Sequence, residues 1–343
     1  MRRSAASCLA AGLLLTGLLA GCTGHAASDG LRLGYFPNIT HAQALYGIQS
    51  GLYAKQLGAH PFTPMAFNAG PTAMEALLSG QVDATYVGPG PVINSLAVTG
   101  ADVLRVIAGS ASGGARFILR AGVDIGPDSD LAGKTFATPQ LGNTQDLSLK
   151  DWLSQHGHTT KDRGGDVDVV NAANPDILSL FQQGHIDGAW VPEPWATRLE
   201  SEGHGHEFLD ERSLWPDGQF ATTILVTTQA YLSSHPEQVQ DLLEAHVQAT
   251  LAMQQADANA LQVVNAGIAS ATGKSLDPGV LATAFKHLNF TADPLPGSIA
   301  AFGQKARDTG LLHGDLPSLA QVIDVTLVNQ VLARHGESEV PAT

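Results

Sequence analysis

Cysteine is almost missing from this chain. There are two in 343 residues, Cys8 and Cys22, both near the N-terminus. Beyond residue 22 no thiol remains for a disulfide framework, a cysteine metal cluster or a catalytic nucleophile. Charge is sparse as well, at 15% of residues, and the balance is acidic, 32 against 18. Nucleic-acid phosphates need a basic surface, and no basic stripe is found, so nucleic acid is excluded as a partner. Thirteen histidines are present, but the His-Gly-His triplets at 156–158 and 204–206 lie in polar stretches without a HExxH pattern. Neither a GxSxG elbow nor a P-loop occurs. These absences predict no resident metal, no cofactor and no catalytic residue. After the first two dozen residues, no apolar run is long enough to span a bilayer.

The N-terminus has Arg2 and Arg3, then the apolar run "LAAGLLLTGLLAG", then Cys22. That is the layout of an export signal. The ending Leu19-Ala20-Gly21-Cys22 resembles a bacterial lipobox, in which the signal is cut before the cysteine and its thiol is acylated. An ordinary export signal with an incidental cysteine is the alternative. The expectation is a signal over 1–21, a tether over 22–30, and a soluble body held at the cell envelope by lipid on Cys22. Without Arg2 and Arg3 the balance becomes 16 basic against 32 acidic.

Hydrophobic residues make up 44%, enough for a sizeable core, and the length suits two lobes. Strand-like and helix-like runs alternate from residue 31 onward: "LRLGYF", "THAQALYGIQ", "FTPMAF", "PTAMEALLSG", "VDATYVG". Alternation of this kind predicts an α/β class with largely parallel sheets. The pattern restarts near residue 131. "GQVDATYVGPGPV" (80–92) and "GHIDGAWVPEPWA" (184–196) align without a gap, 104 positions apart. The organisation expected is one lobe from 31–114 and 223–343, a second from 115–222, and two crossings near 112–118 and 219–225. Residues 222–236 read as β-rich, and everything later reads as helical.

Ligands of open α/β sheets bind beyond the carboxyl ends of the strands. Four segments occupy such places and also begin helices: 36–42, 68–73, 87–92 and 138–146. They supply Pro37, Asn38 and His41; Gly70, Pro71 and Thr72; Gly88, Pro89 and Gly90; Gln140, Gly142, Asn143 and Thr144. Ser112 and Gly113 lie at the first crossing, and Pro192, Glu193 and Trp195 end the repeated strand. Glycine admits close approach to the backbone, and first helical turns leave N–H groups unpaired beside a partial positive charge. No lysine or arginine lies in the four segments, so an anion there would be held by amides and hydroxyls. Trp195 suits stacking or plain packing, Glu193 an ammonium group or water, and His41 an anion or the surface. Arg116 is a candidate for the cleft mouth. Asp83 and Asp187 read as structural caps.

The stretches "LRLGYFPNITHA", "EALLSGQVDATYVGPGP", "LAGKTFATPQLGNTQD" and "GHIDGAWVPEPWA" resemble the aliphatic-sulfonate, taurine and nitrate family of ABC-importer substrate-binding proteins. The resemblance covers roughly residues 31–290. It implies a type II periplasmic-binding-protein fold, two lobes on a two-strand hinge, monomeric and without enzymatic activity. It further implies closure on a small organic anion and delivery to a permease driven by an ATPase. An aliphatic sulfonate is the first expectation for the solute, with nitrate, taurine or a thiamine-pyrimidine precursor as alternatives. "FPNITHA" is also similar to the pyrimidine branch of that superfamily. One member there is a pyrimidine-forming enzyme with a cysteine-rich iron motif, which this chain lacks.

Overall fold

The computed structural model describes residues 30–126, 131–312 and 314–343. The signal, Cys22 and all but the last residue of the tether lie outside the described residues. Two sheets carry the architecture. The first runs in the order β11-β4-β10-β3-β1-β2, with β1 Leu31–Tyr35, β2 Phe62–Ala66, β3 Ala84–Val87, β4 Leu104–Gly113, β10 Ala221–Thr228 and β11 Leu288–Phe290. The second runs β7-β6-β8-β5-β9, with β5 Ala115–Leu119, β6 Thr135–Pro139, β7 Asp168–Ala172, β8 Gly188–Pro192 and β9 His206–Asp210.

The β1/β2, β1/β3, β6/β7 and β6/β8 pairs are parallel, and every other pair is antiparallel. The sheets are therefore mixed rather than largely parallel. The reason lies in the crossings, since a strand arriving from the other lobe enters its sheet in the opposite sense. In the first lobe β10 does this beside β3, and in the second β5 does it beside β8.

Several local expectations change. The helical pattern from 42 breaks into Ala42–Gln49 and Leu52–Leu57 because Gly51 takes φ 73°. Pro64 is tolerated in β2 because that strand is a sheet edge. The β-rich run stops at Thr228, whose hydroxyl accepts the N–H of Tyr231 at 3.1 Å and starts a helix over Gln229–Ser234. The stretch after it is not wholly helical, since β11 adds an edge strand to β4. Long helices Pro236–Gln255 and Thr326–His335 pack with each other, and the first also packs on Ala42–Gln49 in the first lobe.

Each lobe buries an aromatic with a polar tip at the same place in the repeat. In the first, the Tyr86 hydroxyl bonds the Tyr53 hydroxyl at 2.6 Å and His246 Nδ1 at 2.7 Å. In the second, Trp190 stacks on Phe117 at 5.4 Å and donates its indole N–H to Glu211 at 2.7 Å. Large rings fill each core while their polar ends stay satisfied.

Candidate functional site

Asp83 and Asp187 show why the repeat exists. Asp83 donates its N–H to Arg32 O at 2.8 Å and accepts the Arg32 N–H on its carboxylate at 2.7 Å. Asp187 does the same with Thr135, at 2.7 and 2.9 Å. Each aspartate thus locks the start of one strand to its neighbour. The preceding glycines, Gly80 and Gly184, both adopt left-handed φ (72° and 73°) and end matching helices, Gly70–Leu78 and Asn174–Gln182. With register fixed at the start, both strands deliver their carboxyl ends to the same cleft.

That cleft holds two adjoining spaces that share lining residues. The inner one is a nook of about 20 Å3. Phe36, Asn38, Thr40, His41 and Asn68 line it from one lobe; Asn143, Thr144, Gln145, Asn174 and Pro192 line it from the other; Thr222 lies at the return crossing. None of these carries a formal charge. His41 is buried, which pushes its imidazole down to about 3 and keeps it neutral, and its Nδ1 accepts the Phe36 N–H at 3.3 Å. The side-chain oxygen of Asn174 is buried and bonds to no protein group, so that amide can turn to a ligand. Asn143 caps the helix Thr144–Gln155, accepting the Thr144 N–H at 2.9 Å. The next amides of that turn have no partner within the helix. The outer space is a chamber of about 760 Å3, and Asn38, Asn68 and Asn174 line it as well as the nook.

A sequence model of the NMT1-like family matches residues 24–268. The chain belongs to the NMT1-like family. It is 27% identical to a taurine-binding periplasmic protein of Escherichia coli (strain K12) over 197 residues, 57% of this chain and 58% of that protein. The chain therefore spans somewhat over half the length of that relative. Among solved structures, the alkanesulfonate-binding protein SsuA from Xanthomonas axonopodis pv. citri, bound to MOPS, superposes with a TM-score of 0.72 at 20% identity. That match covers 86% of this chain and 99% of the other. The periplasmic nitrate-binding protein NrtA from Synechocystis PCC 6803 gives 0.70 at 15% identity, covering 89% of each. These likenesses establish the periplasmic-binding-protein fold.

Within this NMT1-like cleft the residues singled out from sequence fall into distinct groups. Asn38, His41, Asn143, Thr144 and Pro192 line the nook, and Pro37 and Trp195 line the chamber. Gly70, Gly88, Gly90 and Gly142 sit where the lobes touch. A Cβ on Gly88 would come 2.2 Å from Thr144 Oγ1, and one on Gly70 would come 3.3 Å from Asn143 Oδ1 as well as 2.2 Å from Pro91 of its own lobe. The Gly90 N–H donates to Thr144 Oγ1 at 3.2 Å, and Gly142 O accepts from Asn94 at 3.1 Å. Pro71, Thr72 and Pro89 shape first helical turns, Thr72 closing its own on Ala69 O at 2.9 Å. Gln140 takes φ 36° in the turn ahead of Asn143. Ser112 accepts the Phe220 N–H at 3.2 Å, and Gly113 O accepts from Thr222, both at the crossing.

Glu193 lines neither space and does not face water. It is fully buried, with its carboxylate taken by Arg116 (2.8 Å) and by the Thr197 N–H (3.1 Å). Arg116 is likewise interior to the second lobe, ringed by Glu193, Glu200 and Glu207. Burial works against its charge, but Glu193 and then the other two carboxylates outweigh that, and its pKa is raised. Asn174 was not among the residues singled out, although the repeat carries its signal. It stands 104 positions after Gly70, followed by Pro175 as Gly70 is by Pro71. Thr222 had no such signal, because no strand of the second lobe ends there.

Proposed function

We propose that this protein is the solute receptor of an ABC importer, binding rather than transforming a small organic anion, with an aliphatic sulfonate as the first choice. The observation that carries the reading is the nook: uncharged amide, hydroxyl and imidazole groups from both lobes, with helix starts beside them. Such a lining meets a sulfonate with N–H and O–H donors and dipoles, and no buried counter-charge is needed. The names of the taurine-binding relative and of the alkanesulfonate- and nitrate-binding structural neighbours support the same class of solute. The solute stabilises the closed state only through its greater affinity for it, and the closed complex is what the permease would receive.

Isothermal titration with alkanesulfonates, taurine, nitrate and a formyl-aminopyrimidine tests this. Heat is expected with the sulfonates, and Asn143→Ala should weaken it by roughly tenfold, the loss of one charge-assisted hydrogen bond of about 1.5 kcal/mol. Heat from nitrate or the pyrimidine alone would overturn the sulfonate choice. The proposal includes a lipid anchor on Cys22 in the cell envelope. Labelled palmitate should attach to the wild type and not to Cys22→Ser, and equal labelling of both would refute the anchor.

A further inference from the structure

We infer that the natural solute carries a bulky apolar body, on the scale of a naphthyl or medium alkyl group, behind its anionic head. The inference rests on reading the cleft as a sulfonate site. The inner nook, at about 20 Å3, has room for roughly one water-sized group. It therefore takes the tip of an anionic head, and the rest of the solute must lie in the chamber. That chamber, at about 760 Å3, falls in the range of roughly 300–1,000 Å3 that encloses drug-sized ligands.

The chamber walls differ in chemistry from the nook. Phe67, Ile268, Leu276 and Val280 contribute from one lobe, Pro175 and Trp195 from the other. Charged groups at its edge are mostly engaged by the protein. Glu202 pairs with Arg198 at 2.7 and 3.0 Å, and Asp277 accepts the N–H groups of Gly279 and Val280. A nitrate or methanesulfonate ion would leave these apolar walls wet. A large apolar body would cover walls from both lobes at once, so its burial adds to closure as well as to affinity.

Trp195 is the specificity-determining residue of this arrangement. Its indole N–H donates to Asn38 Oδ1 at 2.9 Å, joining the two lobes, and the Arg198 guanidinium lies 4.5 Å from its ring. Asn38 lines both spaces, so that hydrogen bond holds the ring beside the border of nook and chamber.

The test is a titration series on the wild-type protein with methanesulfonate, octanesulfonate and naphthalene-2-sulfonate. Kd should fall by at least about tenfold from the first to the last, the change produced by burying roughly 60 Å2 more apolar surface. Trp195→Ala should shrink that ratio, and Trp195→Phe, which keeps a ring, should restore most of it. Methanesulfonate binding as tightly as the naphthyl compound would overturn the inference and leave the sulfonate reading intact. No heat with any of the three would overturn both.

Discussion

Single residues in this protein are decided by their partners more than by their position in the chain. Glu211 is the clearest case. It lies on the return path between the lobes, fully enclosed, accepting from Ser148 at 2.7 Å and from Trp190 at 2.7 Å. Burial pushes its carboxyl up to about 7, against the opposing pull of Ser148, Trp190 and the Lys305 charge. The folded protein therefore holds this proton more tightly than the unfolded chain. Stability from this group is present at low pH and is lost as pH rises from about 4.5 to 7, by up to about 3 kcal/mol. His41 and His246, depressed to about 3 and about 4 by burial, act in the other direction and lose stability as pH falls below about 6.5. Thermal melts of wild type and Glu211→Gln at pH 5 and pH 8 separate the two effects. The variant should gain on the wild type toward pH 8, and parallel curves would contradict the assignment. The same lesson explains Glu193 and Arg116. Both looked available in sequence because neither has a sequence neighbour that neutralises it, yet they lie 2.8 Å apart, Arg116 on β5 and Glu193 just past the end of β8.

At the scale of elements, the molecule is one β-α-β-α-β unit made twice. β1 begins at 31 and β6 at 135, the helices start at 70 and 174, and β3 and β8 start at 84 and 188, each 104 positions apart. Alternating hydrophobicity and the Gly-x-x-Asp turn made this unit legible, because those signals act over a few residues. Strands β9 and β11 were not legible. β9 carries only half-exposed or exposed side chains, and β11 is three residues long. Each exists because an antiparallel edge was open beside it, on β5 and β4. Edge pairing is a property of the finished sheet, not of the local sequence.

For the whole molecule, the decisive feature is how the two lobes meet. Gly90 bonds Thr144, Asn94 bonds Gly142, and Asn38 bonds Trp195 across the cleft. On another side Lys305 pairs with Asp151 at 2.9 Å, and Arg163 donates to Gly310 O at 2.7 Å. These contacts bring the two lobes together through a few exchangeable hydrogen bonds, as the proposed capture and release of a solute would require. Asn94 touches neither cavity, so Asn94→Ala isolates closure from binding. One half-buried hydrogen bond is worth about 0.5–1.5 kcal/mol, so the closed-to-open ratio should drop by about 2- to 10-fold. Small-angle scattering would show this as a larger radius of gyration in the free protein, which saturating solute reverses. An unchanged profile would mean the lobes are held by something else.

Glycines and prolines at strand ends, the Asp-anchored repeat and the alternation of strand and helix fixed a two-lobed α/β fold and the side of each sheet that faces the cleft. They could do so because turns, caps and amphipathic periods are short-range. Which strand-end groups line a pocket and which merely let the lobes touch was settled only in three dimensions. Gly88 and Gly90 went to contact, Asn174 to the pocket and Glu193 to the interior, because each outcome depends on atoms brought from more than fifty residues away.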